Sequence, residues 1–291
     1  MFIPAWHFFS FCLVIVGERY HAFAFWGLPI PFYRHCVVIL NRDVKVERES
    51  VSLFLQGRER KRYRILHSGK VVILPYFNEK GRVSFITPND MKDKYPNTFT
   101  YLYENKAYLE NRERGRMKGQ QWYAYIYPKN IEVMATAKIL VPDIADRAQF
   151  ALDENGDYAF TSGYGITLGK KTPMSLKYIL GLLNSKVLNF YLKHISTPMQ
   201  NGFFRYFTQF IERLPISPIN ISNPADVQRH DRMVALVDRM LALHRQLAAA
   251  KTPAEKTMLQ RQIDATDRQI DTLGYALYDL TEEEIRVVEG K

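Results

Sequence analysis

The chain has 291 residues, 47% hydrophobic and 24% charged, with a formal net charge of +10. This is ordinary globular composition, long enough for one large domain or two modest ones, and the basic balance points to an acidic partner, nucleic acid first. The two cysteines, Cys12 and Cys36, lie far apart with no CxxC, which excludes a disulfide scaffold and a thiolate zinc site, and the seven histidines show no HExxH or HxH pair, so no metal site is expected.

Phe2 to Val16 is nearly all apolar but holds Pro4 and His7 and stops at Gly17-Glu18-Arg19. It is shorter than the ~20 residues a membrane helix needs. No basic stretch precedes it and no small-residue cleavage site follows, so a signal peptide fits poorly. Residues 1–50 are read as the buried remnant of an upstream domain or as a non-native leader, with a membrane anchor as the third reading.

From Val51 the character changes. Leu53-Phe54-Leu55 leads into a basic run, Arg58-Glu59-Arg60-Lys61-Arg62-Tyr63-Arg64. Val71 to Leu74 reads as a buried strand ended by Pro75, and Asn78 to Gly81 as a turn. Thr87-Pro88-Asn89-Asp90 opens a helix that Pro96 interrupts; Phe99, Leu102, Lys106 and Leu109 then share one face. Gly115 to Gln121 is a basic, glycine-containing loop before the aromatic Trp122-Tyr123-Ala124-Tyr125. Lys138 to Pro142 is a second buried strand. Phe150 to Asp153 and Ala159 to Leu168 read as antiparallel strands around an Asn155-Gly156 turn. Pro173 opens an amphipathic helix with a kink at Asn184-Ser185. Asn223-Pro224 starts a long helix with Met233, Leu236, Met240, Leu243 and Leu247 at heptad spacing. After Thr252-Pro253 the matching seam is Leu259, Ile263, Thr266, Ile270 and Leu273, so an antiparallel helical hairpin is expected.

No stretch carries recognisable catalytic chemistry. There is no Asn-Pro-Pro or Asp-Pro-Pro loop of the kind that holds a flipped adenine. Gly163-Tyr164-Gly165 is the nearest approach to a glycine-rich cofactor turn, and it sits inside a strand pattern with no helix opening on it. Pro142-Asp143 has no following Asp/Glu-x-Lys to complete a nuclease metal site. Catalytic, cofactor-binding and metal-binding residues are therefore expected to be absent from this chain.

Binding chemistry remains. Arg58, Arg60, Lys61 and Arg62 follow one another closely enough to track phosphates, although a solvated strand edge would look the same. Arg114, Arg116 and Lys118 form a second basic set with Arg112, and Gln120 and Gln121 beside them are suited to base edges. Asn201 and Arg205 lie in a third segment, Gln200-Asn201-Gly202-Phe203-Phe204-Arg205, where arginine has the geometry for guanine.

Taken in order, several segments resemble the TaqI-like C-terminal specificity domain, the target-recognition part of adenine-N6 DNA methyltransferases and type IIG restriction-modification enzymes. They are Gly57-Arg58-Glu59-Arg60-Lys61-Arg62-Tyr63, Lys138 to Ile144, Tyr164-Gly165-Ile166 before the kinked helix, Leu214-Pro215-Ile216 after it, and the closing Ala276 to Ile285. Where relatives often carry arginine before the proline near Trp122, this chain has Tyr127-Pro128-Lys129.

The resemblance implies an α+β fold: a mixed or antiparallel sheet recognition domain over residues 51–220 with a kinked helix, then the helical hairpin and tail over 221–291. It implies double-stranded DNA as a partner, and a methyltransferase domain or subunit, expected to be missing from this chain, as the holder of S-adenosylmethionine. A cytoplasmic protein, inactive in methyl transfer by itself, is expected. The alternative is a separate specificity subunit that docks a methyltransferase subunit through its hairpin.

Overall fold

The computed structural model describes residues 44–291, apart from 67, 80, 81, 127, 129, 130, 161 and 170, together with two short strands at 13–16 and 37–39. The three readings of residues 1–50 lie almost wholly outside the described residues, as do Tyr127 and Lys129.

The fold is α+β. Its strands are β1 (Leu13–Val16), β2 (Val37–Ile39), β3 (Val51–Leu55), β4 (Arg60–Lys61), β5 (Arg64–Ile65), β6 (Val71–Ile73), β7 (Tyr76–Glu79), β8 (Arg82–Phe85), β9 (Lys138–Val141), β10 (Ile144–Ala145), β11 (Ala151–Asp153), β12 (Tyr158–Phe160), β13 (Tyr164–Ile166) and β14 (Phe204–Arg205). Its helices are α1 (Pro88–Lys94), α2 (Pro96–Glu104), α3 (Lys106–Glu110), α4 (Arg112–Gly115), α5 (Ile131–Met134), α6 (Leu176–Asn184), α7 (Lys186–Ile195), α8 (Thr208–Ile211), α9 (Pro224–Ala249), α10 (Pro253–Leu277) and α11 (Glu282–Glu289). A five-stranded mixed sheet runs β12-β3-β6-β1-β2 and an antiparallel sheet runs β11-β9-β13, while β4-β5, β7-β8 and β10-β14 are two-stranded pairs.

The helix boundaries follow their capping residues. The Thr87 hydroxyl accepts from Asp90 N at the start of α1, and Pro96 opens α2. The expected kink is a full break: Ser185 is extended (φ −69°, ψ 156°), ending α6 and capping α7 through Leu188 N. Serine serves both purposes because its hydroxyl replaces a backbone acceptor that the first turn lacks. Asn223 caps α9 as expected, and Thr252, at the break between the two long helices, caps α10 by accepting from Glu255 N.

The hairpin seam is close to the one expected. Leu259, Ile263, Thr266, Ile270 and Leu273 are all buried, facing Met233, Val237, Met240 and Leu243. Leu236 is only partly buried and Val237 takes the central place, because α9 turns toward α6 as well as α10. Gly181 permits that approach: a Cβ there would stand 2.5 Å from the Met233 sulfur and 3.0 Å from Val237 Cγ2. The hairpin therefore shares one core with α6, α7 and the three-stranded sheet. Two smaller cores lie between β3, β6, β12 and α5, and around α1, α2 and α3 with Trp122 and Tyr123.

One expected pairing is corrected. The strands flanking Asn155-Gly156 do not form a hairpin: β11 pairs with β9, whereas β12 leaves to lie parallel to β3. Asp153 is the cause. Its buried carboxylate accepts from Lys138 Nζ, from Asp157 N at 2.9 Å and from Tyr158 N at 3.1 Å, turning the chain toward the other sheet.

Candidate nucleic-acid interface

The first basic run divides by direction. Arg60 is 1% exposed, and its guanidinium donates to Ser162 O at 2.5 Å and to Ser162 Oγ at 3.1 Å. Burial lowers its pKa to about 10, opposed by the charge of Asp143, so it remains a cation at neutral pH. The Arg60 site lies under Gly163, where a Cβ would meet Val141 O at 2.1 Å. Arg62 turns inward too, donating to Asp267 Oδ2 at 2.5 Å and to Asn184 O at 2.7 Å. It thus ties α10 to the end of α6 across the tight Arg62-Tyr63 turn, where Tyr63 has φ 58°.

These two arginines are corrected as phosphate ligands: one is sealed in the interior, and the other has its donors committed to the scaffold. A periodic run of cations does not reveal which of them find carbonyls and carboxylates far along the chain. Arg58 is exposed in the turn before β4, and Lys61 is half-buried on β4 opposite Arg64.

The second basic set has a similar division. Arg112 is 4% exposed, its Nε donating to Leu109 O at 2.7 Å and its Nη2 to Trp122 O and Ala124 O at 2.7 and 3.0 Å. It holds the two roots of the loop together, a role the sequence did not disclose. Glu113 and Arg114 take left-handed conformations at φ 46° and 62°. Arg114, Arg116, Lys118, Gln120 and Gln121 are exposed on the closed loop, with Arg116 3.7 Å from Glu113. Exposed cations on a short tethered loop suit a phosphate backbone, because the loop loses little further entropy on binding.

The third segment is a hairpin of its own. Met199 N donates to Phe203 O at 2.7 Å and Arg205 N to Thr197 O at 3.4 Å, around a tip where Asn201 and Gly202 have φ 61° and 74°. The far side of β14 pairs antiparallel with β10, Ile144 opposite Arg205. Arg205 is half-buried with its guanidinium carbon 5.3 Å from the Phe207 ring centre. Its Nε is buried, and among the described residues no acceptor holds it. Asn201 is exposed at the tip.

The structure thus brings Arg60 and Arg205 to opposite ends of one short joint. Asp143 faces the Arg60 charge, its backbone carbonyl accepts from Tyr206 N at 2.8 Å, and Ile144 follows it. Ile144 and Phe203, exposed at 44% and 39%, were not evident from sequence because each stands in an apolar motif that reads as core.

Gly163-Tyr164-Gly165, the one glycine-rich turn the sequence offered, is buried; its last two residues lie on β13, which pairs with β9, and no helix opens on it. Among the described residues no group of three His, Cys, Asp or Glu is placed to hold a metal, and no helix is long and apolar enough to cross a membrane.

The chain is similar to the type II restriction enzyme and methyltransferase RM.Eco57I of Escherichia coli, 24% identical over 78% of this chain and 24% of that protein. It is similar to the type II methyltransferase M.BstVI of Geobacillus stearothermophilus, 23% identical over 68% of this chain and 34% of that one. The type II methyltransferase M.XhoI of Xanthomonas vasicola is 28% identical over 51% of this chain and 25% of its own length. The chain thus spans about a quarter to a third of these relatives. The TaqI-like C-terminal specificity domain matches residues 53–216, the stretch that holds the Arg60 joint, the Arg112 loop and the 197–205 hairpin; with more than half of its length matched, the chain belongs to that family.

Proposed function

We propose that this chain reads duplex DNA for a restriction-modification methyltransferase, one that modifies adenine at N6. Membership of a specificity-domain family carries the reading, and the exposed cations of the 111–121 loop support it. Arg114, Arg116, Lys118, Arg58 and Lys61 contact phosphates; Gln120, Gln121, Asn201 and Arg205 face base edges. Residues 51–220 present the reading surface, and residues 221–291 brace it through α6. S-adenosylmethionine and the transfer step belong to a methyltransferase domain or subunit that partners this chain in the cytoplasm, and the chain alone transfers no methyl group.

The full chain should bind duplex DNA with affinity that falls steeply as salt rises, log K dropping about 0.9 per neutralised phosphate for each tenfold increase. Lys118→Ala and Arg114→Ala should each make the slope shallower by about that amount and weaken all sequences alike. Fluorescence anisotropy across a salt series checks this. Affinity that stays flat from low to moderate salt sinks the reading.

A further inference from the structure

The β10–β14 ribbon has an inner and an outer face. Ala145 and Tyr206 are 2% and 0% exposed, and Phe204 packs against the same core. Strand alternation then puts Ile144, Phe203 and Arg205 on the other face. Ile144 and Arg205 are register partners, so their Cβ atoms stand about 5 Å apart on that face.

Three features make this face a reader rather than a loose edge. The backbone of β14 is hydrogen-bonded on both sides, by β10 and by the 197–199 segment. The Arg205 guanidinium rests on Phe207 with no acid or carbonyl partner among the described residues. Two large apolar side chains are left in water beside it, which folding alone does not reward.

A cation with unused donors, held next to an exposed β-branched side chain, matches one feature of duplex DNA. In the major groove guanine offers two acceptors and thymine a methyl group, and the groove admits a two-stranded ribbon. A separation of about 5 Å between the side-chain roots lets them reach neighbouring base pairs, which rise about 3.4 Å apart.

We propose that β10 and β14 form a two-stranded reading element for a guanine next to a thymine, Arg205 taking the guanine edge and Ile144 the thymine 5-methyl group. This rests on the DNA-reading function proposed above and names the element, the second reader and the base step it selects.

The test uses the full chain and duplexes with a randomised core, selected by binding at low salt and sequenced. Each thymine of the selected sequence is then replaced by uracil, which lacks only the methyl group. The expected result is a shared sequence containing the step, and one thymine whose replacement weakens wild-type binding about fourfold. That loss should vanish in Ile144→Ala and persist in Ile144→Val, while Arg205→Ala relaxes the adjacent guanine. A shared sequence in which wild-type and Ile144→Ala respond alike to every thymine replacement overturns this proposal and leaves the DNA-reading function standing. Selection that yields no shared sequence removes both.

Discussion

Lys138 and Asp153 show what one buried residue can decide. Both are 2% exposed and paired, and the Lys138 ammonium also donates to Met134 O at 2.7 Å. Burial lowers the pKa of Lys138, and the Asp153 charge opposes it. Replacing Lys138 with methionine strands a carboxylate in the interior, so Lys138→Met should cost about 3–5 kcal/mol by urea denaturation. A midpoint within error of wild type would show that the pair contributes nothing. Glu47 acts at a helix end instead. Tyr95 gives α2 no side-chain cap, and Glu47 supplies one from outside, accepting from Asn97 N and Thr98 N at 2.9 Å each. Its burial works against the charge, but the Thr98 hydroxyl and these two N–H groups prevail and lower its pKa from 4.5 to about 2. A lowered carboxylate pKa stabilises the fold above the unfolded value, and that contribution drains away as pH falls through the window. Glu47→Gln should therefore cost about 1–2 kcal/mol at neutral pH, after allowance for solvent, and the difference should narrow between pH 4.5 and 2. A gap that is constant with pH would assign the loss to packing.

At the scale of elements, helices were far more legible than strand partners. Thr87 and Asn223 announce their helices because a cap is local chemistry. Asn184-Ser185 marked a kink, although not that Ser185 would cap the helix beyond it. The destination of β12 was not legible, because its partner lies on β3 and the residue that sends it there is a buried aspartate in the preceding strand. The basic runs misled for a related reason: Arg60, Arg62 and Arg112 find their acceptors by folding, and Arg114 and Lys118 look no different in sequence. The contact of α6 with α9 can be tested directly. Gly181→Leu should cost about 2–3 kcal/mol by overpacking against Met233 and Val237. Ala235→Leu, exposed on α9, should change stability by less than about 0.5 kcal/mol. Equal effects of the two in thermal melts would mean that the helices can part to admit a side chain.

For the molecule as a whole, the joints are spread widely along the chain. Arg60 meets Ser162 across 102 positions, and Arg62 meets Asp267 across 205. Closing such long loops costs entropy before any contact rewards it, so proteins built this way fold slowly. On the ribosome, the arginines of the first basic run emerge well before the groups that bury them. Until α10 has been synthesised, Arg62 has no Asp267 to engage, and the core-facing sides of α6 and α9 have no complete cover. The newborn chain therefore passes through a stage in which cations destined for the interior face the solvent of a compartment full of RNA. Burial of Arg60 and Arg62 marks the end of that stage, after which the cations left facing solvent include those of the 111–121 loop.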